Sequence, residues 1–276
     1  MRFRPLHPDF GAEVTGFDVQ RGGAPSEVEE LRRAYDTYQL LLFRGGGRIA
    51  PERQVEIASW FGPPPPVSNM GEGNFVSVLK NDEAAGSYKL PFHSDLTYTD
   101  VPIKAICLHA IALPEKGTST TFVSGVAAWN RLSAEQQKEL AGLTLRHLHI
   151  PNMPEYNWPD FVADHPVRLT HPRTRKPILF VTEHHADRIL ELDEDRSKAL
   201  LAELFAHLYA PERRYEHHWQ LDDLLMWDNL AVQHARTRKS EPSEGARALQ
   251  RVALSEAGLD ELIERARERE KAVAAG

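Results

Sequence analysis

The amino-acid sequence predicts a mainly β protein with α decoration, a double-stranded β-helix or jelly roll. Three observations point there. Short apolar runs separated by turn residues fill the middle of the chain, at residues 75–79, 105–113 and 120–123. Helical patterns gather at the start, in one insert and at the end. No shift in composition divides the 276 residues, so residues 1–276 are expected to form a single domain, of a size that β barrels and sandwiches reach undivided.

Taken in order, residues 26–43 read as a helix followed by a strand. Ser26 offers an N-cap, Glu29 stands where a capping box needs it, and Tyr38-Gln39-Leu40-Leu41-Leu42-Phe43 ends the segment as a short apolar run. Gly45-Gly46-Gly47 is a turn. Residues 50–61 suggest a second helix with Pro51 at its first position, where a missing N–H costs nothing. Gly62 and the prolines that follow end it. After the central strands, residues 133–142 form a short helix opened by Ser133. Residues 147–164, rich in Pro, Asn and aromatics, are expected to be irregular and to border a site. A hairpin over 167–181 turns at 172–176. The strongest helix spans 193–209, apolar at Leu200, Leu201, Leu204, Phe205 and Leu208. Residues 224–227 and 250–254 are late strands, and 259–275 is a charged terminal helix with a solvated face.

The net charge of −7, from 33 basic and 40 acidic residues, comes with no basic block and excludes a nucleic-acid partner. No apolar run reaches the length of a membrane span, and Met1-Arg2-Phe3-Arg4-Pro5 lacks the apolar stretch of a secretory leader. Cys107, the single cysteine, lies in Ala105-Ile106-Cys107-Leu108 and is expected to be buried and inert. A chain without disulfides and without a membrane segment fits the cytoplasm.

The chemistry is carried by Pro91-Phe92-His93-Ser94-Asp95 and, far downstream, by Trp227-Asp228-Asn229-Leu230-Ala231-Val232-Gln233-His234. The pattern His-x-Asp also occurs as His7-Pro8-Asp9, beside a proline near the terminus, and as His185-Ala186-Asp187, which reads as a turn before a helix. Only His93-Ser94-Asp95 lies between strand-like segments. On a strand, residues i and i+2 point to one side, so His93 and Asp95 can grip one ion while Ser94 faces away. If the fold adds His234, the set is two imidazoles and one carboxylate, which leaves positions open on Fe(II). If it does not, these are ordinary histidines of a globular domain. If the last segment is a strand, Arg247 and Arg251 point to one face of it. An inward arginine near a metal is costly unless it pairs with an anion, and a dicarboxylate co-substrate held bidentately is the natural one. Thr120 can add a hydroxyl donor to the same carboxylate. Two other readings stay open on the residues alone. A Zn(II) metallohydrolase would use the same three ligands, need a general base near the metal and give Arg247 no role. A non-catalytic jelly-roll binding module would have a broken ligand set.

In order and spacing, His93, Asp95, Thr120, His234 and Arg247 resemble the pattern of the TauD/TfdA family of Fe(II)- and 2-oxoglutarate-dependent dioxygenases. The resemblance extends through Phe10-Gly11-Ala12-Glu13-Val14-Thr15-Gly16, Trp60-Phe61-Gly62, His165-Pro166-Val167-Arg168-Leu169-Thr170-His171-Pro172 and Trp227-Asp228-Asn229. It implies that His93, Asp95 and His234 bind Fe(II), and that Arg247, with Thr120, binds the far carboxylate of 2-oxoglutarate. It also implies that O2 is consumed with release of succinate and CO2 while a substrate C–H bond is hydroxylated, with cleavage where that carbon bears a heteroatom. The retained Asp95 implies hydroxylation rather than halogenation. Arg251 matches a sulfonate-binding arginine of the family, so the expected partner is a small anionic molecule: a sulfonate, sulfate ester, phosphonate or carboxylate. Its alternative is an internal pair with Asp or Glu. The family's sulfonate-binding histidine is missing from residues 63–73, where Val67-Ser68-Asn69-Met70 stand instead, which argues against taurine. His185 and Met153 are further candidates for the substrate pocket, with Tyr88 and Lys89 behind them; His217 and His218 are read as scaffold. The family also implies a homo-oligomer, a dimer or tetramer.

Overall fold

Alternate residues of the apolar runs serve two different layers. The computed structural model describes residues 1–63, 76–81, 89–151, 157–238 and 245–275. A seven-stranded sheet runs in the order β1 (Arg2–Pro5), β2 (Ala12–Thr15), β3 (Leu40–Phe43), β14 (Leu224–Asp228), β6 (Ala105–Ala112), β16 (Ala248–Leu254) and β4 (Val76–Lys80). A four-stranded sheet runs β13 (Tyr215–His218), β7 (Ser119–Ser124), β15 (Val232–Arg236) and β5 (Leu90–His93). Only the β2–β3 pair is parallel among the described pairings of these two sheets. Their facing surfaces share one core: Leu42, Ile106, Leu108, Leu225, Trp227 and Leu249 from the larger sheet meet Phe122 and Val232 from the smaller. This is the two-layer β arrangement of a jelly roll.

The central strands are apolar at every residue because both faces are covered. In β3, Leu40 and Leu42 enter the inter-sheet core, while Leu41 and Phe43 face outward. There they meet Leu31 and Tyr35 of α1 (Pro25–Tyr38) and Ile57 of α2 (Pro51–Ser59). Cys107 and Met226 join that outer layer. Cys107 is buried, and burial pushes its thiol up to about 12, so it stays protonated and unreactive. Gln54 pins α2 to the sheet. Its Nε2 donates to the carbonyls of Cys107 and Gln250, both at 3.0 Å, and its Oε1 accepts from Gln250 Nε2 at 2.9 Å.

On the far side, Phe92, Val123 and Ala235 of the smaller sheet pack against Trp129 of α3 (Gly125–Asn130). After α4 (Ala134–Leu140) comes α5 (Glu194–Leu208), which adds Leu201, Leu204 and Leu208 to the same cluster. A three-stranded sheet, β12 (Ala186–Ile189), β8 (Thr144–His149) and β9 (Phe161–Pro166), and the hairpin β10 (Arg168–Thr170) and β11 (Pro177–Leu179) complete the strands of the described residues. The last helix, α6 (Leu259–Ala275), lays Leu262 and Ile263 on Phe161.

Three local expectations need correction. The cap of α1 is not Ser26: Pro25 takes the first turn, and the Glu27 carboxylate accepts from the N–H groups of Gly23 (2.9 Å) and Ala24 (3.0 Å). Within residues 147–164, expected to be irregular, 147–149 and 161–164 belong to the strands Thr144–His149 and Phe161–Pro166, which pair with each other, with Leu145, His147, Phe161 and Ala163 buried. Their inward histidines, His147, His149 and His165, hide an ordinary two-residue alternation. His185 stands in a turn that leads into β12 rather than a helix; α5 begins only at Glu194.

Leu225 is fully buried between the sheets. Leu225→Ala is expected to cost about 2–5 kcal/mol through the cavity it leaves, read as a lower urea midpoint with an unchanged slope.

Candidate active site

The inter-sheet core opens into a cavity of about 220 Å³ that holds His93, Asp95, Thr120, His234, Arg247 and Arg251 on its wall, with Ile106, Leu108 and Trp227 as apolar lining. Sheet register brings the histidines together. β5 and β15 are neighbours, and His93 stands directly opposite His234, with ring centroids 4.3 Å apart.

Asp95 arrives by a different route from the one expected. β5 ends at His93, and the chain turns, with Leu96 at φ 59°. The strand pleat therefore does not aim Asp95; Asn229 does. Asn229 Oδ1 accepts from the Asp95 N–H at 3.0 Å, and its Nδ2 donates to the carbonyls of Asp95 (3.2 Å) and Ile103 (2.8 Å). Asp228 holds the same turn from beneath. Its Oδ1 accepts from the N–H groups of Leu230 and Ala231, each at 3.1 Å, and its Oδ2 lies 2.7 Å from His171 Nε2. Trp227-Asp228-Asn229 is thus the tether that presents Asp95 to the histidines, a role the sequence does not disclose.

Asp95 Oδ1 lies 3.2 Å from His93 Nε2 and 3.6 Å from His234 Nε2, and the three ligand atoms lie within 4.8 Å of one another. Adjacent ligands at about 2.1 Å from a metal are about 3 Å apart, so the set fits one divalent ion with small adjustment. His93 Nδ1 is 2.9 Å from the Pro91 carbonyl. A proton on Nδ1 donates there and leaves the Nε2 lone pair for a metal. Burial works against charge on Asp95, but Arg251, His93 and His234 beside it overcome burial and hold its carboxyl well below the usual range. Burial and the neighbouring His93 push His234 down to about 3. An ionised carboxylate and a neutral imidazole are the forms in which these groups bind a metal.

The arginines differ in their partners. Arg251 Nη2 donates to Asp95 Oδ2 at 2.6 Å, the internal pair that stood as the alternative to substrate binding. Arg247 is buried, and its Nε and Nη1 have no hydrogen-bond partner among the described residues. Burial, then the nearby Arg236, lower it to about 10. Asn81 fixes its backbone, accepting from the Arg247 N–H at 3.0 Å and donating its own N–H to the Arg247 carbonyl at 3.2 Å. Thr120 is buried, and its Oγ1 accepts from the Trp219 indole N–H at 3.0 Å.

His185 stands beside His93, edge-on with ring centroids 6.5 Å apart, rather than on the wall that holds Arg247. It belongs to a cluster of rings with Tyr98 (4.7 Å), His149 (5.5 Å) and His184 (4.2 Å). Burial first, then the neighbouring imidazoles, push His184 down to about 4 and His185 to about 3. Met153 and Tyr88 lie outside the described residues, and Lys89 is exposed. His217 is buried with its Nε2 3.3 Å from Asp223 Oδ2, and His218 is exposed. The only potential metal cluster among the described residues is His93, Asp95 and His234. Sequence reasoning missed Arg236, Tyr98, His149 and His184. Arg236 had a signal: it follows His234 by two on one strand, the spacing that puts both on one face.

A jelly roll with two histidines and one carboxylate between its sheets, and a buried arginine waiting beside them, defines a mononuclear Fe(II) oxygenase that takes an acidic co-substrate. The chain belongs to the family described as taurine catabolism dioxygenase TauD, TfdA family, which matches residues 2–253. Enzymes of this family use Fe(II), 2-oxoglutarate and O2, and the chain is a dioxygenase of that kind. It is similar to the alpha-ketoglutarate-dependent 2,4-dichlorophenoxyacetate dioxygenase of Cupriavidus pinatubonensis, 28% identical over 85% of this chain and 91% of that one. An alkylsulfatase of Acinetobacter baylyi is 25% identical over 85% of this chain and 79% of its own. The solved structure of a taurine dioxygenase from Burkholderia xenovorans superposes with a TM-score of 0.79 and 27% identity, over 94% of this chain and 92% of that one.

Asn229 touches no cavity wall but tethers Asp95. Asn229→Ala is expected to weaken Fe(II) binding about 10–100-fold, measured by anaerobic titration calorimetry.

Proposed function

We propose that this dioxygenase hydroxylates a small anionic substrate at a carbon bearing a heteroatom, and that hydroxylation cleaves the carbon–heteroatom bond. In this reading His93, Asp95 and His234 hold Fe(II), and Arg247 with Thr120 holds the far carboxylate of 2-oxoglutarate. The observation that carries it is Arg247: a buried guanidinium without a described partner, on the wall of the cavity that contains the ligand set. Bound Fe(II) supplies activation of O2, coupled to decarboxylation of 2-oxoglutarate to succinate and CO2, with the second oxygen atom going to the substrate C–H. The protein's part is to orient and to exclude water. Ile106, Leu108 and Trp227 keep the cavity wall apolar, which strengthens each charge interaction inside it.

Charge supports an anionic substrate. The described cavity wall carries the guanidiniums of Arg247 and Arg251 against the single carboxylate of Asp95. Arg251 spends one N–H on Asp95 and has others to offer, since a guanidinium presents five. The ring wall of Tyr98, His149 and His185 beside His93 suits a flat or bulky organic group. The names of relatives point the same way, to 2,4-dichlorophenoxyacetate, (S)-phenoxypropionate and sulfate esters. Each is an anion with a C–O bond, and a hydroxyl added to such a carbon collapses to a carbonyl and expels the oxygen substituent. Sulfonates, phosphonates and other carboxylates belong in the same screen. A metallohydrolase is disfavoured because it gives no role to Arg247, the buried guanidinium on the wall that carries the ligand set.

The reading also carries one domain over residues 1–276, a cytoplasmic location consistent with the single buried Cys107, and a dimer or tetramer testable by light scattering. No helix among the described residues is long and apolar enough to cross a membrane.

Anaerobic Fe(II) plus 2-oxoglutarate is expected to give a weak visible charge-transfer band; tight Zn(II) binding without that band would overturn the reading. Arg247→Ala should raise the 2-oxoglutarate requirement about 30-fold or more, the loss typical of a buried charge pair. Arg251→Ala should raise KM for the primary substrate and weaken Fe(II) binding, because Asp95 loses its partner, while KM for 2-oxoglutarate stays within about threefold.

A further inference from the structure

We propose that Trp219 is a positioning residue: its indole N–H fixes the Thr120 hydroxyl as a hydrogen-bond donor into the co-substrate cavity. The inference rests on the reading of Thr120 as a ligand of 2-oxoglutarate and adds a residue that never touches the cavity.

A threonine hydroxyl carries one proton and two lone pairs, so its polarity depends on its neighbours. An indole N–H can only donate. Trp219 Nε1 lies 3.0 Å from Thr120 Oγ1, so that oxygen must accept from it. Both residues are buried, and solvent does not compete for the bond. Thr120 Oγ1 makes no other hydrogen bond among the described residues, and Thr120 lines the cavity. The proton that remains is therefore left for an acceptor in the cavity. A carboxylate is acceptor-only, so it matches a donor hydroxyl and repels one that presents lone pairs.

The indole is itself held. Its backbone N–H donates to the Thr118 carbonyl at 3.1 Å, which ties it to the strand that carries Thr120. The His217 ring meets it edge-on at 4.5 Å, with an interplanar angle of 88°. His217 Nε2 lies 3.3 Å from Asp223, and Arg44 grips Asp223 with Nε at 2.9 Å and Nη2 at 2.7 Å. His217, which the metal site does not use, thereby gains a part as the wall that stops the indole from turning.

The test is a double-mutant cycle read by calorimetric titration of 2-oxoglutarate into the anaerobic Fe(II) protein. Trp219→Phe removes the N–H and keeps a ring, and Thr120→Val removes the hydroxyl. Thr120→Val is expected to weaken 2-oxoglutarate about tenfold or more, as for a hydrogen bond to a charged group. Trp219→Phe should reproduce several-fold of that loss, leave the Fe(II) titration unchanged, and cost nothing further in the Thr120→Val background. Thr120→Ser should restore the effect of Trp219. Should Trp219→Phe not fold, replacing the indole with benzothiophene removes the N–H at nearly constant shape. If Thr120→Val binds 2-oxoglutarate like the parent, the role of Thr120 fails and this proposal with it. If Thr120→Val weakens binding and the loss of the N–H does not, Thr120 stands and Trp219 is refuted. An equal loss in both backgrounds makes Trp219 a packing residue and also refutes the proposal.

Discussion

The arrangement of this protein depends on the cost of keeping charge between two apolar sheets. A carboxylate or guanidinium taken from water into such a layer must find an opposite charge or a full set of hydrogen bonds. Asp95 finds Arg251 on one oxygen and the two imidazoles on the other. Arg247 finds no described side chain. In the proposed reading, the difference separates a carboxylate prepared for a cation from a cation prepared for a mobile anion. Both states are tolerated because strands on every side are already anchored by their own packing, with Leu42, Leu225 and Trp227 filling the core around them.

The polar groups that build the site work mostly on backbone. Asn229 binds the main chain of Asp95, Asp228 binds the main chain of the turn after β14, and Asn81 binds the main chain of Arg247. The neighbouring amides and carboxylates hold the backbone of the loops that carry the cavity's side chains. Such support lets loops deliver functional groups with the definition of a strand.

Much of this was legible. Continuous runs such as Leu40-Leu41-Leu42-Phe43 announced strands covered on both faces, and the amphipathic stretch ending at Leu208 announced its helix. The ordered positions of His93, Asp95, Thr120, His234 and Arg247 resembled one family strongly enough to name the chemistry. What escaped was local or long-range. β8 and β9 were hidden because histidines share the inward face with Leu145, Phe161 and Ala163 while Leu148 and Val162 stand on the other, so the alternation is weak over six residues. The partner of Arg251 lies 156 positions away, and no pattern along the chain reports such a pair. Asp95 looked like a strand residue because the end of β5 depends on Asn229, which lies 134 positions away.

With His93 and His234 as the proposed ligands, their cross-strand pairing has a consequence for how the protein would meet its metal. The two imidazoles are aligned by the hydrogen-bond ladder of β5 and β15, a part of the fold that exists for other reasons. In the proposed reading, metal capture would therefore have little chain to order, unlike a zinc finger, which is unfolded without its ion. An enzyme built this way can lose its metal to oxidation or chelation, remain folded, and be reloaded.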